Sequence, residues 1–273
     1  ERGMDQANEL EALREENARL RSLLGLDRRA DGGHTSAWAP TLSLFDPPHS
    51  DPIDATATDG EKVRLLRSMF AARSDVYATR WANDDGRSGW APVSRGNRSK
   101  GRSKHDHLPL SDEALGAHLR GGLTVGVYAL MRGDTCGFLA CDFDKGSWAL
   151  DSLAYLDACH ANDVPAVLER SRSGNGAHVW VFFDGPVSAT PARQMGAGLL
   201  RRAMAARVEL DLTSYDRLFP AQDYLPKAGF GNLIALPLQG DCARRGTTVF
   251  LDPTTMMPWS DQWAFLSSVA KMT

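Results

Sequence analysis

The stretch from Gly137 to Lys145, GFLACDFDK, is an apolar run that ends in two carboxylates with one residue between them. The apolar part predicts a buried strand. Side chains in a strand alternate between its two faces, so Asp142 and Asp144 are expected to point the same way, with their Cβ atoms close together. Like charges held side by side repel each other and are costly to desolvate. The arrangement therefore needs an explanation.

Three explanations stay open on these residues alone. The carboxylates could simply end a strand in a solvated turn. They could form an acid/base pair, although two carboxylates on one strand lie too close together for many such geometries. They could also chelate a divalent cation, which removes the repulsion, since hard cations such as Mg²⁺ prefer carboxylate oxygen.

The composition is that of an ordinary globular protein. The chain has 273 residues, 42% hydrophobic and 24% charged, which is enough for one large domain or two small ones. No apolar run is long enough to span a membrane and no signal-peptide pattern is present, so no membrane partner is expected. The four cysteines form no C-x-x-C pair. This pattern favours a reduced, cytoplasmic setting over a disulfide scaffold.

One segment is locally basic, although the net charge of −3 argues against a uniformly basic surface for nucleic acid. Between Gly86 and His105 there is no acidic residue, and Gly, Ser and Asn fill most of the remaining positions, which predicts a flexible loop. A solvated linker and an arm that contacts phosphate explain it equally well. Its basic residues are Arg87, Arg95, Arg98, Lys100, Arg102 and Lys104.

The chain divides into three parts. Residues 1–26 contain a predicted helix, preceded at 1–3 by what looks like a remnant of expression. Its leucines follow alternating three- and four-residue steps, with Asn17 on the same seam, so a short coiled-coil dimer and a helix packed on its own domain are both interpretations. Residues 27–59 predict a linker, because they are rich in Asp, Pro, Gly, Ser and Thr. Residues 60–273 form the globular domain.

In the globular domain, predicted strands and helices follow one another, which indicates an α/β or α+β domain. Thr190, which is followed by Pro191, is predicted to be the N-cap of a long helix.

A second polar feature is the segment Arg170–His178, RSRSGNGAH, which precedes a run with strong β propensity. Its glycines would let backbone N–H groups approach an anion closely. Ser173 can donate a hydrogen bond, and His178 opens the next strand, where it can face the same site as the carboxylates. Alone, the segment could be a hairpin turn with a polar histidine at its rim. Together with the carboxylates it favours a nucleoside-triphosphate site.

A third feature is the segment LTSYDRLFPAQDYLPKAGFGNLIALPLQ, residues 212–239. Asp216 and Asp223 are each a candidate for a further metal ligand, and each could equally be a surface loop residue. Lys227 and the glycines after it could face phosphate or a template strand.

Taken together, LACDFD, SGNGAH and a later aspartate resemble the archaeo-eukaryotic primase superfamily of primase-polymerases. The match is closest to the primase domains of TOTE conflict systems and to CRISPR-associated primase-polymerases. It covers roughly residues 60 to 268 and includes DVYATRW, ERSRSGNGAHVWVFF and a late DQW. The resemblance implies an α+β fold, with an RRM-like antiparallel catalytic sheet, flanking helices and an N-terminal α/β module.

The resemblance also implies a metal site. Asp142 and Asp144 would bind two divalent ions, Mg²⁺ or Mn²⁺. Asp223 is the preferred third carboxylate, since it lies fourteen residues before Pro237, a spacing like that of primases. Asp216 is the fallback. Relatives often carry a cysteine cluster where this chain has only His105 and His107, so a structural zinc is not expected.

Further roles are implied for nucleotide and DNA binding. Many primases have a basic residue in the strand after the last aspartate, where this chain has Ile234 and Ala235, so that phosphate contact either passes to Lys227 or Asn232 or is absent. The implied nucleotide-binding residues are Arg172, Ser173, Gly174, Asn175, Gly176, His178, Lys227 and Asn232. The implied DNA-binding residues are Arg95, Arg98, Lys100, Arg102 and Lys104.

The function that the resemblance implies is a template-dependent nucleotidyltransferase. Such a DNA primase-polymerase joins NTPs or dNTPs to a 3′-hydroxyl on a DNA template-primer by two-metal catalysis, with fused or associated helicase or nuclease modules. A metal-dependent nuclease is an alternative, because carboxylate clusters also serve hydrolysis. A non-catalytic module that binds single strands through Trp180, Phe182 and Phe183 is another, although their pattern favours core packing.

Overall fold

The computed structural model describes residues 53–95, 106–206, 214–227 and 229–273. The helix and dimer predicted for residues 1–26, and most of the predicted linker, lie outside these ranges. The helices are α1 (Asp59–Met69), α2 (Asp112–Arg120), α3 (Trp148–His160), α4 (Ala189–Ala206), α5 (Gly240–Arg244) and α6 (Gln262–Ser268). The strands are β1 (Ala78–Ala82), β2 (Ser88–Pro92), β3 (Val125–Tyr128), β4 (Thr135–Asp144), β5 (Ala166–Arg170), β6 (Gly176–Ser188), β7 (Tyr215–Phe219), β8 (Leu233–Ala235) and β9 (Val249–Leu251).

A five-stranded antiparallel sheet carries the stretch GFLACDFDK. Its order is β7-β4-β6-β5-β9, so β4 and β6 are interior strands. One face is covered by α3 and α4, whose Tyr155 and Leu199 share a core with Leu139, Cys141 and Phe143. Because side chains alternate, the aspartates of β4 lie on the opposite face.

That opposite face belongs to a second core. Phe138 and Ala140 of β4 and Trp180 of β6 pack there with side chains of α1 and α2 and of a second sheet. On this face of β4 the side chains of Phe138 and Ala140 belong to the core. Asp142 comes next on the same face, where the core ends and the polar residues begin.

The second sheet has four strands in the order β2-β1-β3-β8, and all its pairs are antiparallel. Strand β8 comes from late in the chain and pairs with β3. Gly126 allows this close approach, because a Cβ at that position would lie 2.0 Å from Cδ1 of Leu233. The sheet formed by the N-terminal strands β1, β2 and β3 is thus completed by β8, which comes from late in the chain.

The structure confirms an α+β domain with an antiparallel sheet and flanking helices. Two local expectations are wrong. The segment from Gly86 to His105 is not simply a loop, because Ser88–Pro92 pairs with β1 over its whole length. Tertiary pairing here outweighs a low local strand propensity. Likewise, α4 begins at Ala189, so Thr190 lies inside its first turn, where a following proline is tolerated.

The end of the predicted linker belongs to the folded domain. Thr58 caps α1 in a capping box with Glu61. Further back, Ala55 N donates to Asp261 Oδ2 at 2.9 Å, and Ser267 Oγ donates to Ile53 O at 3.1 Å. Residues 53–58 are therefore attached to α6 and to the turn before it.

No helix within the described ranges is both long and apolar enough to cross a lipid bilayer.

Candidate active site

The end of β4 brings two predicted carboxylates and the predicted histidine together. Asp142 lies directly opposite His178 of β6, and Asp144 lies opposite Gly176. Nε2 of His178 is 3.5 Å from Oδ1 of Asp142. Gly176 is required by this register, since a Cβ there would lie 2.6 Å from the carbonyl oxygen of Phe143. Period-two alternation and antiparallel pairing together build this part of the site.

Asp144 has an oxygen without a hydrogen-bond partner. Its Oδ1 is buried and accepts no hydrogen bond within the described residues. The nearest cation is Nζ of Lys145, at 3.5 Å. Lys145 has a φ of 70°, a conformation that non-glycine residues seldom adopt, and it directly follows β4. Buried polar atoms in proteins are nearly always satisfied, so this oxygen is a candidate metal ligand.

A β-bulge in β7 places Asp216 beside the same pair. Asp142 is opposite Arg217, but the next residue, Phe143, is opposite Tyr215, so Asp216 is the extra residue in its strand. Bulges of this kind re-aim a side chain and are common next to active sites. Asp216 Oδ2 accepts a hydrogen bond from Nε of Arg217 at 2.5 Å. Asp216 is thus the third carboxylate that the fold brings to β4.

The electrostatics of Asp142 reflect this crowding. Burial raises the pKa of Asp142, and the negative charges of Asp216 and Asp144 raise it further, whereas His178 and Arg217 lower it; the net change is upward. The pKa of Arg217 is also raised, because its hydrogen bond to Asp216 and the nearby carboxylates favour its charged form. A site that carries this much negative charge favours a cation.

The donor set fits a hard divalent cation. In the described part of the chain, no three His, Cys, Asp or Glu side chains already converge closely enough to hold a metal ion. However, the oxygens of Asp142, Asp144 and Asp216 come from two paired strands, and one of them, Oδ1 of Asp144, is buried and without a hydrogen-bond partner. Carboxylate oxygen is the ligand type that Mg²⁺ and Mn²⁺ prefer. The residues therefore fit the metals implied by the sequence.

Asp223, the preferred third carboxylate in the sequence analysis, lies elsewhere. It forms an ion pair with Nη1 of Arg193. Arg193 belongs to α4, the helix that covers the face of the sheet opposite to Asp142 and Asp144. The structure therefore groups the fallback residue Asp216, rather than Asp223, with the two aspartates of β4.

The turn between β5 and β6 contains the predicted anion-binding segment. Gly174 has a φ of 80°, a conformation that glycine adopts without strain. Its N–H donates to the carbonyl oxygen of Ser171 at 3.0 Å, and the N–H of Asn175 donates to Oγ of Ser173 at 3.2 Å. Because Gly176 ends the turn opposite Asp144, the turn lies at the same end of the sheet as the carboxylates.

His178 is held from behind by a buried carboxylate. Nδ1 of the ring donates to Oε2 of Glu169 at 2.5 Å, and Glu169 is only 1% exposed. Burial lowers the pKa of His178, but the charge of Glu169, the hydrogen bond to it and then the charge of Asp142 outweigh this effect, so that the pKa is raised. The two carboxylates therefore stabilise the positive charge of a protonated ring.

Arg172 of the turn interacts electrostatically with two further arginines, and we call Arg80, Arg172 and Arg245 together the arginine cluster. Burial lowers the pKa of Arg172, and the positive charges of Arg80 and Arg245 lower it further, although Cys242 acts in the opposite direction. Arg80 comes from β1 of the four-stranded sheet, and Arg245 follows α5. No carboxylate of the described residues forms an ion pair with any of the three. Such a cluster favours a polyanion.

The remaining predicted residues lie outside this grouping. Lys227 is exposed between β7 and β8, and Asn232 directly precedes β8 in the four-stranded sheet. The backbone N–H of Arg95 donates to the carbonyl oxygen of Asp106 at 2.8 Å, while residues 98–104 and His105 lie outside the described ranges. His107 is hydrogen-bonded through Nδ1 to Oγ of Ser94 at 3.1 Å.

Comparison with known proteins now decides the family. The model of a family described as the archaeo-eukaryotic primase domain of the TOTE conflict system matches residues 61–273. The chain belongs to this primase family. The polymerase domain of ligase D from Mycobacterium tuberculosis, solved in complex with DNA, is similar in structure, with a TM-score of 0.44 and 16% sequence identity, over 79% of this chain and 82% of that chain. No curated protein matches the sequence.

The candidate site contains residues that sequence reasoning missed. Glu169 is a charged residue inside an otherwise apolar strand, PAVLE, and that contrast is a signal that could have identified it. The sequence signal for Lys145 is its position directly after Asp144. No local sequence pattern marks Arg80 or Arg245, because each is far in sequence from Arg172, on which its charge acts.

Proposed function

We propose that this primase domain is a template-dependent nucleotidyltransferase that joins an NTP or dNTP to the 3′-hydroxyl of a DNA primer. The observation that carries the proposal is the position of the turn Ser171–Gly176. At one end, Gly176 lies opposite Asp144 in the carboxylate site. The same turn contains Arg172, which belongs to the arginine cluster. A nucleoside triphosphate with its metal ions needs negative and positive groups in this arrangement.

The carboxylates are assigned to the metals. Asp142, Asp144 and Asp216 would hold Mg²⁺ or Mn²⁺, with Asp216 in the place first given to Asp223, because the bulge of β7 brings it next to β4. When two such ions are bound, they lower the pKa of the attacking hydroxyl and stabilise the leaving pyrophosphate.

The turn and the cations are assigned to the nucleotide. Ser173, His178 and those amides of the turn that do not donate within it would contact the phosphates nearest to the carboxylates. Arg172, with Arg80 and Arg245, would neutralise the phosphates farther away. The catalytic contribution of these groups is to orient the triphosphate and to offset its charge, which are the main tasks in phosphoryl and nucleotidyl transfer.

The proposed partners are a DNA template-primer and a nucleotide. The basic residues Arg95, Arg98, Lys100, Arg102 and Lys104 would follow the template phosphates, since such interactions depend on charge and reach.

A primer-extension assay separates this proposal from its alternatives. The chain is incubated with Mn²⁺, a labelled template-primer, and either NTPs or dNTPs. Extension supports the polymerase, shortening of the label indicates a nuclease, and retention without chemistry indicates a binding module.

Substitutions at the carboxylates test which residues the extension depends on. Asp142→Ala with Asp144→Ala should abolish extension while the circular dichroism spectrum is retained. Asp216→Ala should reduce extension at least about a hundredfold, because metal ligation supplies several kcal/mol of transition-state stabilisation. Asp223→Ala is the matched control and should retain most of the activity. Normal extension by the double variant would refute the mechanism, and a greater loss with Asp223→Ala than with Asp216→Ala would reverse the assignment of the third carboxylate.

A further inference from the structure

Glu169 is a charged side chain in a position that its neighbours make apolar. It is 1% exposed, and its direct partners across the sheet are His178 on β6 and Phe250 on β9. Phe250 is fully buried in the second core. A carboxylate in such a place is costly unless it is hydrogen-bonded and paired. Its presence therefore points to a specific task.

One oxygen of Glu169 takes both of its hydrogen bonds. Oε2 accepts from Nδ1 of His178 at 2.5 Å and from Nε1 of Trp180 at 3.1 Å. The indole of Trp180 is fully buried, so it fixes the carboxylate on the core side. The carboxylate is thus held rigidly behind the imidazole.

The bond to Nδ1 decides which edge of the imidazole faces the carboxylate site. With Nδ1 directed at Glu169, Nε2 is directed at Asp142, whose Oδ1 is 3.5 Å away. The two ring nitrogens of a histidine are distinct, and the hydrogen bond made by one sets the orientation and role of the other. Without an acceptor behind it, the ring could rotate about χ2, whose preferences are broad.

We propose that Glu169 is a positioning residue for nucleotide binding: it fixes the ring of His178 so that Nε2 is presented to a phosphate of the incoming nucleotide beside Asp142. The identity of the ligand rests on the proposed function. The groups that face His178 are Asp142 from β4, Glu169 from β5 and Trp180 on its own strand. Of these, Glu169 is the one within hydrogen-bonding distance of the ring, and its geometry is independent of any ligand.

The first test concerns the ring itself and needs no nucleotide. In the ¹⁵N-histidine-labelled chain, nuclear magnetic resonance should show a downfield His178 Nδ1 proton that is protected from exchange. Glu169→Ala should abolish this proton, whereas Glu169→Gln should retain it, because the side-chain carbonyl of Gln can still accept the bond. If the wild-type ring is protonated on Nε2 alone, or if Glu169→Ala leaves the resonance unchanged, the proposal is overturned.

The second test measures binding of dATP with Mn²⁺ by titration calorimetry. Glu169→Ala should weaken binding about tenfold, equivalent to about 1.4 kcal/mol, and His178→Ala by a similar factor. The double variant should bind no more weakly than His178→Ala alone, because Glu169 acts through the histidine. Glu169→Gln should stay within about threefold of the wild type, since a neutral acceptor keeps most of the hydrogen bond.

A control separates positioning from core stability. Trp180→Phe removes the other donor to Glu169 and keeps an aromatic ring in the core. It should lower the free energy of unfolding and weaken dATP binding much less than Glu169→Ala does, because Glu169 still accepts the hydrogen bond from Nδ1 of His178. If Glu169→Ala weakens binding as much in the His178→Ala background as in the wild type, Glu169 acts only on the fold and the proposal is wrong. If the wild-type chain does not bind dATP, the proposed function fails, while the magnetic resonance test still decides the positioning.

Discussion

At the scale of single residues, Asp142 shows the conflict between stability and chemistry. Burial and two neighbouring carboxylates raise its pKa, while His178 and Arg217 act in the opposite direction. Like charges in this arrangement destabilise the folded chain, and a bound cation would relieve them. Active sites with such repulsive charges commonly lower the stability of the folded protein in exchange for activity.

The arginine cluster gives a prediction for nucleotide selectivity. Arg245→Ala should weaken binding of dATP about tenfold but leave dAMP almost unaffected, because charge-assisted bonds to the terminal phosphates are removed. Titration calorimetry with both nucleotides measures this. The neighbouring Arg244→Ala is the control, since Arg244 is paired with Asp241. Equal losses for the two nucleotides would contradict the assignment, as would an equal effect of the control.

His118 gives a prediction for the pH dependence of stability. It is fully buried, where Nε2 is 2.9 Å from the carbonyl oxygen of Pro237 and Nδ1 accepts from Val125 N at 3.0 Å. Burial lowers the pKa of His118 from 6.5 to about 4, although the bond to Pro237 raises it. The unfolded chain therefore binds more protons between these values, and stability is lost as the pH falls from about 6.5 towards 4.

The variant His118→Gln tests this, since Gln keeps a donor and an acceptor but does not titrate. The free energy of unfolding in urea should fall between pH 6.5 and 4 by up to about 3 kcal/mol more in the wild type than in the variant. Parallel pH profiles for the two chains would show that His118 does not contribute in this way.

At the scale of elements, the site is a product of strand register. The end of β4 meets the start of β6, and one extra residue in β7 places a third aspartate beside it. The close approach of β4 and β6 depends on Gly176, whose missing side chain leaves room for the carbonyl of Phe143.

Gly176→Ala should therefore displace the start of β6 from β4. We expect a loss of stability of about 1–3 kcal/mol, typical of overpacking, together with weaker primer extension. Gly185→Ala is the control in the same strand, because a Cβ there meets nothing within 4 Å. Activity and the free energy of unfolding measured for both variants check the prediction. If primer extension is unchanged in the Gly176→Ala variant, the site does not depend on this close approach of β4 and β6 and the prediction is wrong.

At the scale of the whole molecule, the site depends on both sheets. The five-stranded sheet supplies the carboxylates, the turn and His178, while Arg80 of β1 in the four-stranded sheet adds a positive charge that acts on Arg172. The second core joins the two sheets through α1 and α2. A change that separates the sheets should therefore affect the arginine cluster before the carboxylates.

The basic segment gives the prediction at this scale. Arg98→Glu with Lys100→Glu should weaken binding to single-stranded DNA and flatten the dependence of log affinity on log salt by about 0.7 for each phosphate that the variant no longer neutralises. Arg201→Glu with Arg202→Glu is the matched control. These two exposed residues lie on α4, which covers the face opposite the carboxylates. Fluorescence anisotropy at several salt concentrations measures both. An unaltered slope would assign the segment to a linker.

The local parts of the site can be predicted from the amino-acid sequence. Period-two alternation placed Asp142 and Asp144 on one face, the glycine-rich run predicted the turn, and the combined motifs identified the family that the family model confirms. The strand face and the turn depend on residues that are neighbours in sequence, and the family depends on a recognised pattern of motifs.

The remaining features depend on contacts between segments that are far apart in the chain. The tertiary structure groups Asp216 with the aspartates of β4 and pairs Asp223 with Arg193, because a bulge and a helix packed on a sheet are set by register between distant segments. The tertiary structure also places Glu169 behind His178 and brings the charges of Arg80 and Arg245 to act on Arg172. Burial, pairing and long-range charge arise only when separate segments meet, and local propensity carries no information about them.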